Sequence, residues 1–194
     1  MRPEDRDFVT IVSGLPRSGT SMVMSILGAG GVPLLADGRR AADEDNPRGY
    51  FEYEPVKRTR EDPSWLEAAR GKAVKMVYKL LYDLPLDRDY RVLFVRRRLV
   101  EVLASQDKML ARRGVQVEPM DLDRFTRLFG AEIERARGWL ATRPRFAVLE
   151  VDYNAMLEDP GRSLEAIDRF LGGGLDLEAM RGAIDPSLYR QRRE

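Results

Sequence analysis

The stretch Phe8-Val-Thr-Ile-Val-Ser-Gly-Leu-Pro-Arg-Ser-Gly-Thr-Ser21 decides the reading of this chain. Phe8 to Ser13 is mostly apolar and β-branched, without regular polar alternation. A strand buried on both faces has that pattern. Gly14 ends the strand, Gly14 and Gly19 bracket a tight loop, and Thr20 to Leu27 reads as a helix. Backbone N–H groups converge in such a turn, and the helix N-terminus adds positive potential, so the stretch is an expected anion cradle. Its spacing is that of a Walker A loop, two glycines separated by four residues. That motif places Lys and then Ser or Thr after the second glycine, for the β/γ-phosphates and Mg²⁺. Here Thr20 stands at the Lys position and the positive charge comes earlier, at Arg17. The loop suits a phosphate-like anion and is ill-suited to Mg-dependent γ-phosphoryl transfer.

Composition bounds the chemistry. The 194 residues suit one domain with a sizeable core, expected to span residues 1–194. Basic and acidic residues number 33 and 32, so the bulk charge points to neither nucleic acid nor a membrane. There is no Cys, hence no disulfide and no thiolate nucleophile. There is no His, which removes the commonest general base and metal ligand. A base must come from Asp, Glu, Lys or Tyr, and no metal site is expected. Residues 1–7 lack the apolar core of a signal peptide and no run reaches membrane-spanning length, so a cytoplasmic protein is expected.

Further along, Val32-Pro-Leu-Leu35 reads as a short strand and 36–49 as a loop. Glu54 to Arg60 and Asp62 to Arg70 read as short helices, the second capped by Asp62 with Pro63 at its first position. Strands are expected at Ala73 to Tyr78, Tyr90 to Val95 and Phe146 to Val151. Helices are expected at Leu99 to Arg112, Leu122 to Leu140, Ser163 to Leu171 and Leu175 to Ala183. Strands alternating with helices imply an α/β fold of three layers, with a mainly parallel central sheet. Ligands in such sheets bind beyond the carboxyl ends of the strands. The Gly14–Ser21 loop, Lys75 with Lys79, and Arg96 to Arg98 are expected to meet there.

Pro16-Arg-Ser-Gly-Thr-Ser21 resembles the 5′-phosphosulfate loop of sulfotransferases, which transfer a sulfuryl group from 3′-phosphoadenosine 5′-phosphosulfate (PAPS) without a metal. The resemblance extends in order from Val9 to Gly172. It includes Arg97-Arg-Leu-Val-Glu-Val-Leu-Ala-Ser105, Asp152-Tyr-Asn-Ala-Met-Leu-Glu-Asp-Pro160 and Phe170-Leu-Gly172. It is nearest a bacterial group carrying Asn46-Pro-Arg-Gly-Tyr-Phe-Glu52. It implies a P-loop nucleotide-binding fold in which Arg17, Ser18, Gly19, Thr20 and Ser21 hold the 5′-phosphosulfate. It also implies that Arg97 and Ser105 bind the 3′-phosphate. The Asp-Pro usual after that Arg is Arg98-Leu99 here, so Arg96, Arg97 and Arg98 compete, and the eight-residue spacing to Ser105 favours Arg97. Without the resemblance, Ser105 would read as a solvated or back-bonding helical Ser.

Sulfuryl transfer needs a base for the acceptor and a cation at the leaving oxygen. Lys75 interrupts an apolar strand, a costly place for an ammonium unless it is paired or used. It matches the family Lys that faces the sulfate, and with Arg17 it would neutralise the leaving oxygen. Glu52, after the rigid aromatic Tyr50-Phe51, is the candidate base, with Asp43, Glu44, Asp45 and Glu54 as rivals. The family's Arg-Lys-Gly closing loop is missing. Asp185-Pro-Ser-Leu-Tyr-Arg-Gln-Arg-Arg193 is the remaining basic segment, and Arg190 is its candidate for the nucleotide. The expected reaction moves a sulfuryl group from PAPS to a hydroxyl or amine of a small-molecule, carbohydrate or lipid acceptor, releasing 3′,5′-ADP. A P-loop kinase or other phosphotransferase, and an inactive nucleotide-binding module, are the alternatives. Neither the acceptor nor the oligomeric state is legible.

Overall fold

The structure, a computed structural model, describes residues 6–39, 43, 49–112, 114 and 122–185. Its centre is a four-stranded sheet made of β1 (Val9–Gly14), β2 (Ala73–Val77), β3 (Tyr90–Arg96) and β4 (Phe146–Asp152). All pairings are parallel and the order is β2-β1-β3-β4. The chain leaves β1 for β2 on one side and later crosses to β3 on the other. The carboxyl end of β1 is therefore the switch point at which such sheets open a crevice.

Side chains alternate across the strands, and each face is covered by helices. On one face, Val9 and Ile11 of β1, Val74 and Met76 of β2, and Tyr90, Val92 and Phe94 of β3 form a core. It packs against α2 (Trp65–Ala68), a 3₁₀ segment at Tyr78–Asp83, α3 (Leu99–Arg112) and α4 (Leu122–Ala141). On the other face, Val12, Ala73, Leu93, Val95 and Val151 pack against α1 (Thr20–Ala29), α5 (Tyr153–Glu158), α6 (Pro160–Phe170) and α7 (Leu177–Gly182). In α1 the buried set is Val23, Met24, Ile26 and Leu27, a 3.6-period stripe against the sheet. Each such side chain contributes about 1.5–3 kcal/mol on burial, so this stripe anchors the helix that follows the glycine loop. Among the described residues, no helix is long and apolar enough to cross a membrane.

Several local expectations are corrected. Val32 to Leu35 contributes one parallel bridge, Leu34 to Ala73, and no full strand. The α2 helix begins at Trp65 with Ser64 at the cap position, not at Pro63 behind Asp62. Asp62 instead accepts the Ser64 N–H in a tight turn at 3.0 Å. The α5 helix was not expected. Asp152 caps it by accepting the Ala155 N–H at 3.0 Å, and six residues are too few for a periodic pattern to register. The next helix starts at Pro160 and not Ser163, because proline is preorganised for the first helical position.

Candidate active site

The loop between β1 and α1 is shaped by residues held at positive φ. Gly19 lies at φ 100° and precedes α1, offering no side chain to cap its first turn. A Cβ at Gly19 would stand 2.2 Å from the Tyr153 ring, so the loop packs directly on the start of α5. Arg17 adopts φ 71° without being glycine, a conformation uncommon for other residues and concentrated at ligand clamps. Ser18 is 1% exposed, and its Oγ has no hydrogen-bond partner among the described residues. It lines, with Leu15, Val95, Arg97 and Ile133, a cavity of about 80 Å³ beside the loop. A buried hydroxyl without a partner at a glycine-rich helix start is what a bound oxyanion would satisfy.

Two cations, Lys75 and Arg97, reach this loop from distant parts of the chain, and a third, Arg17, belongs to it. Arg17 Nε donates to Ser105 Oγ at 3.0 Å. Arg97 Nη1 donates to the Arg17 carbonyl at 3.3 Å, and its guanidinium lies 4.7 Å from the Tyr153 ring centroid. Lys75 sits opposite Val12 in the sheet register and shares its side of β2 with Ala73. That side faces α1, so its Nζ reaches Ser21 Oγ at 3.3 Å and also donates to the Tyr50 carbonyl. Thr20 and Ser21 are the first two residues of α1.

The three consecutive arginines diverge. Arg96 pairs with Glu150 at 2.9 Å across to β4. Arg98 is exposed, 3.8 Å from Glu101. Arg97 turns to the loop. Lys79 does not join this rim, because β2 stops at Val77 and a 3₁₀ turn carries Lys79 to an exposed pairing with Glu132 at 3.5 Å.

Glu52 follows Phe51, itself at φ 50°, in the segment that Lys75 ties down through Tyr50. Asp37 clips the same segment. Its N–H donates to the Glu52 carbonyl at 2.9 Å, and its carboxylate accepts the Glu54 N–H at 2.7 Å. Those backbone donors, Glu54 first and then Arg39, hold the Asp37 carboxyl below the usual Asp range. Among the rivals, Asp43 accepts from the Tyr50 hydroxyl at 2.7 Å and Glu54 pairs with Lys57 at 2.8 Å. Glu44, Asp45 and Arg190 lie outside the described residues.

Two residues behind the site were not singled out from sequence. Glu101 is fully buried and accepts from Arg97 Nε at 2.8 Å. Asn154 donates to its carboxylate at 3.1 and 3.2 Å and accepts the Arg98 N–H at 3.2 Å. Arg97 stands two residues before α3, so its pairing with Glu101 is close in sequence without being a helical pair. The partnership with Asn154, 53 positions on, has no sequence signal.

The loop and the start of α1 thus have Lys75 at one side, with Arg17, Arg97 and Ser105 in contact at the other. The fold is shared with solved sulfotransferases. The sulfotransferase domain of the Synechococcus PCC 7002 olefin synthase matches with TM-score 0.55 and 14% identity, over 98% of this chain and 82% of that one. The sulfotransferase from Alicyclobacillus acidocaldarius matches with TM-score 0.52 and 16% identity, over 93% and 87%. No curated protein matches the chain in sequence. The family model described as "Sulfotransferase domain" matches residues 7–193, nearly the whole length, and by that match the chain belongs to the sulfotransferase domain family.

Proposed function

We propose that the protein transfers a sulfuryl group from PAPS to a hydroxyl or amine of a small-molecule, carbohydrate or lipid acceptor, releasing 3′,5′-ADP. The reading takes residues 1–194 as one domain working in the cytoplasm without a metal. The observation that carries it is the gathering of Lys75, Arg97 and Ser105 around the Arg17–Ser21 loop. Two separated groups of donors fit a nucleotide with anionic groups at both its 3′ and 5′ ends. The unpartnered, buried Ser18 Oγ supports the same fit. Thr20 in place of the Walker Lys weighs against a nucleoside triphosphate with Mg²⁺.

When bound, PAPS would supply an activated sulfuryl group whose departure leaves a phosphate. The loop amides with Ser18, Thr20 and Ser21 would hold the phosphosulfate. Lys75 would meet the negative charge that grows on the bridging oxygen, and a cation aimed there before reaction acts without reorganisation. Arg97 and Ser105 would hold the 3′-phosphate, with Arg190 as a further candidate. Glu52 would take the acceptor proton, since neither His nor Cys exists to do so.

Calorimetric titration tests the donor. Binding of 3′,5′-ADP with little response to ATP–Mg is expected, and the reverse preference would overturn the reading. Glu52→Gln tests the base. Release of 3′,5′-ADP from PAPS, assayed with a panel of phenols, alcohols and amines, is expected to fall about 10²–10⁴-fold. Affinity for 3′,5′-ADP should stay near the parent value. Unchanged turnover in Glu52→Gln would move the base elsewhere.

A further inference from the structure

We propose that Asp37 is a positioning residue on the acceptor side of the reaction: it holds the backbone at Glu52 and Glu54 and so fixes where the Glu52 carboxylate is presented. The inference rests on the reading of Glu52 as the base and adds the residue that orients it.

Glu52 stands in a strained segment. Phe51, one residue before it, adopts φ 50°, which a bulky side chain rarely takes. Such a conformation persists only where the surroundings over-determine it. Before Phe51, Lys75 Nζ donates to the Tyr50 carbonyl. After it, the Asp37 N–H donates to the Glu52 carbonyl at 2.9 Å, and the Glu54 N–H donates to Asp37 Oδ2 at 2.7 Å. Tyr53, between those two, is extended at φ −133° and ψ 106°. The pattern is that of a parallel strand pair in which a carboxylate oxygen stands in for the backbone carbonyl. A single side chain therefore supplies a bond that backbone normally makes, and one substitution can remove it.

The chemistry of Asp37 suits positioning and not proton transfer. Its Oδ1 accepts the Arg39 N–H at 3.0 Å while Oδ2 accepts from Glu54. These donors, Glu54 first, hold its carboxyl below the usual Asp range. A carboxylate so occupied is a poor base for an acceptor hydroxyl or amine. Its side chain is 17% exposed, so water competes little for the two bonds. Hydrogen bonds to an ionised acceptor are also stronger than neutral ones. The placement matters because a base acts only within hydrogen-bond reach of the proton it takes, and a displacement of about 1 Å can cost about 10²-fold in rate.

The test measures kcat and the KM for PAPS, from 3′,5′-ADP release with the panel of phenols, alcohols and amines. The variants are Asp37→Ala, Asp37→Asn, Glu52→Gln and the double variant of Asp37→Ala with Glu52→Gln. Calorimetry gives the 3′,5′-ADP affinity of each, and a thermal melt checks folding. Asp37→Ala should lower kcat about 10- to 100-fold, with the KM for PAPS and the 3′,5′-ADP affinity within about 3-fold of the parent. Asp37→Asn keeps one oxygen for the Glu54 N–H, should lose about 3- to 10-fold in kcat, and carries the test if the alanine variant does not fold. On the Glu52→Gln background, Asp37→Ala should cost about 3-fold or less, because the carboxylate it orients is gone. Equal losses on both backgrounds, or a nucleotide affinity that falls as far as kcat, would make Asp37 a general support of the fold. A kcat within about 2-fold of the parent in every folded Asp37 variant would remove it from the reaction. Each of these overturns the inference and leaves Glu52 as the base. If Glu52→Gln keeps the parent's turnover, or the parent turns over no acceptor of the panel, the reading beneath falls and the inference falls with it.

Discussion

Lys75→Met is expected to lower the kcat for 3′,5′-ADP release from PAPS about 10²–10³-fold, with the KM for PAPS moving about 5-fold or less. The magnitude is that of removing one preorganised donor from the atom on which transition-state charge develops. The asymmetry follows from timing, because the bridging oxygen carries little charge before the sulfur–oxygen bond stretches, and only later interactions raise kcat. Methionine keeps the length of the unbranched stem. The packing of β2 between Ala73 and Val77 should therefore survive, and far-ultraviolet circular dichroism should match the parent. The ammonium also fixes the Tyr50 carbonyl, so some loosening of the segment bearing Glu52 is part of the expected loss. A kcat within about 3-fold of the parent, or a loss confined to KM, would take Lys75 out of the chemical step.

Glu101→Ala should cost the fold roughly 3–5 kcal/mol, the scale of breaking a buried ion pair from one side. The carboxylate is fully buried and its partner Arg97 is 7% exposed, so the deletion removes a buried carboxylate from the guanidinium with little water to replace it. Asn154 loses its acceptor at the same stroke. For a chain of this length the Tm should fall by about 6–20 °C, measured by calorimetric unfolding. Glu101→Gln keeps much of the hydrogen bonding and should fall between. If Glu101→Ala melts within about 2 °C of the parent, the buried pair is not what stabilises the junction of β3, α3 and α5.

The α/β class, the parallel sheet and the glycine loop were legible because each depends on neighbours in sequence. The apolar run of β1, the αL positions that glycine fills and the 3.6-residue stripe of α1 are all written within a few residues of one another. The failures were short-range too. Helices of four or six residues, such as α2 and α5, carry too few periods to announce themselves, and their boundaries follow turn hydrogen bonds that composition does not reveal. Among the site residues, the spacing of Arg97 and Ser105 was visible, but what each touches was not.

Local chemistry alone determined that this chain places a glycine-bracketed turn between a buried strand and a helix, and that neither His nor Cys is there to act. Tertiary structure decided how the charges are shared out. Lys75 reaches Ser21 across 54 positions, Arg17 reaches Ser105 across 88, and Asn154 closes on Glu101 across 53. Side-chain periodicity says which face of an element is buried. Which charged tips then meet depends on strand order and register, because parallel pairing in the order β2-β1-β3-β4 brings the ends of β1 and β3 side by side.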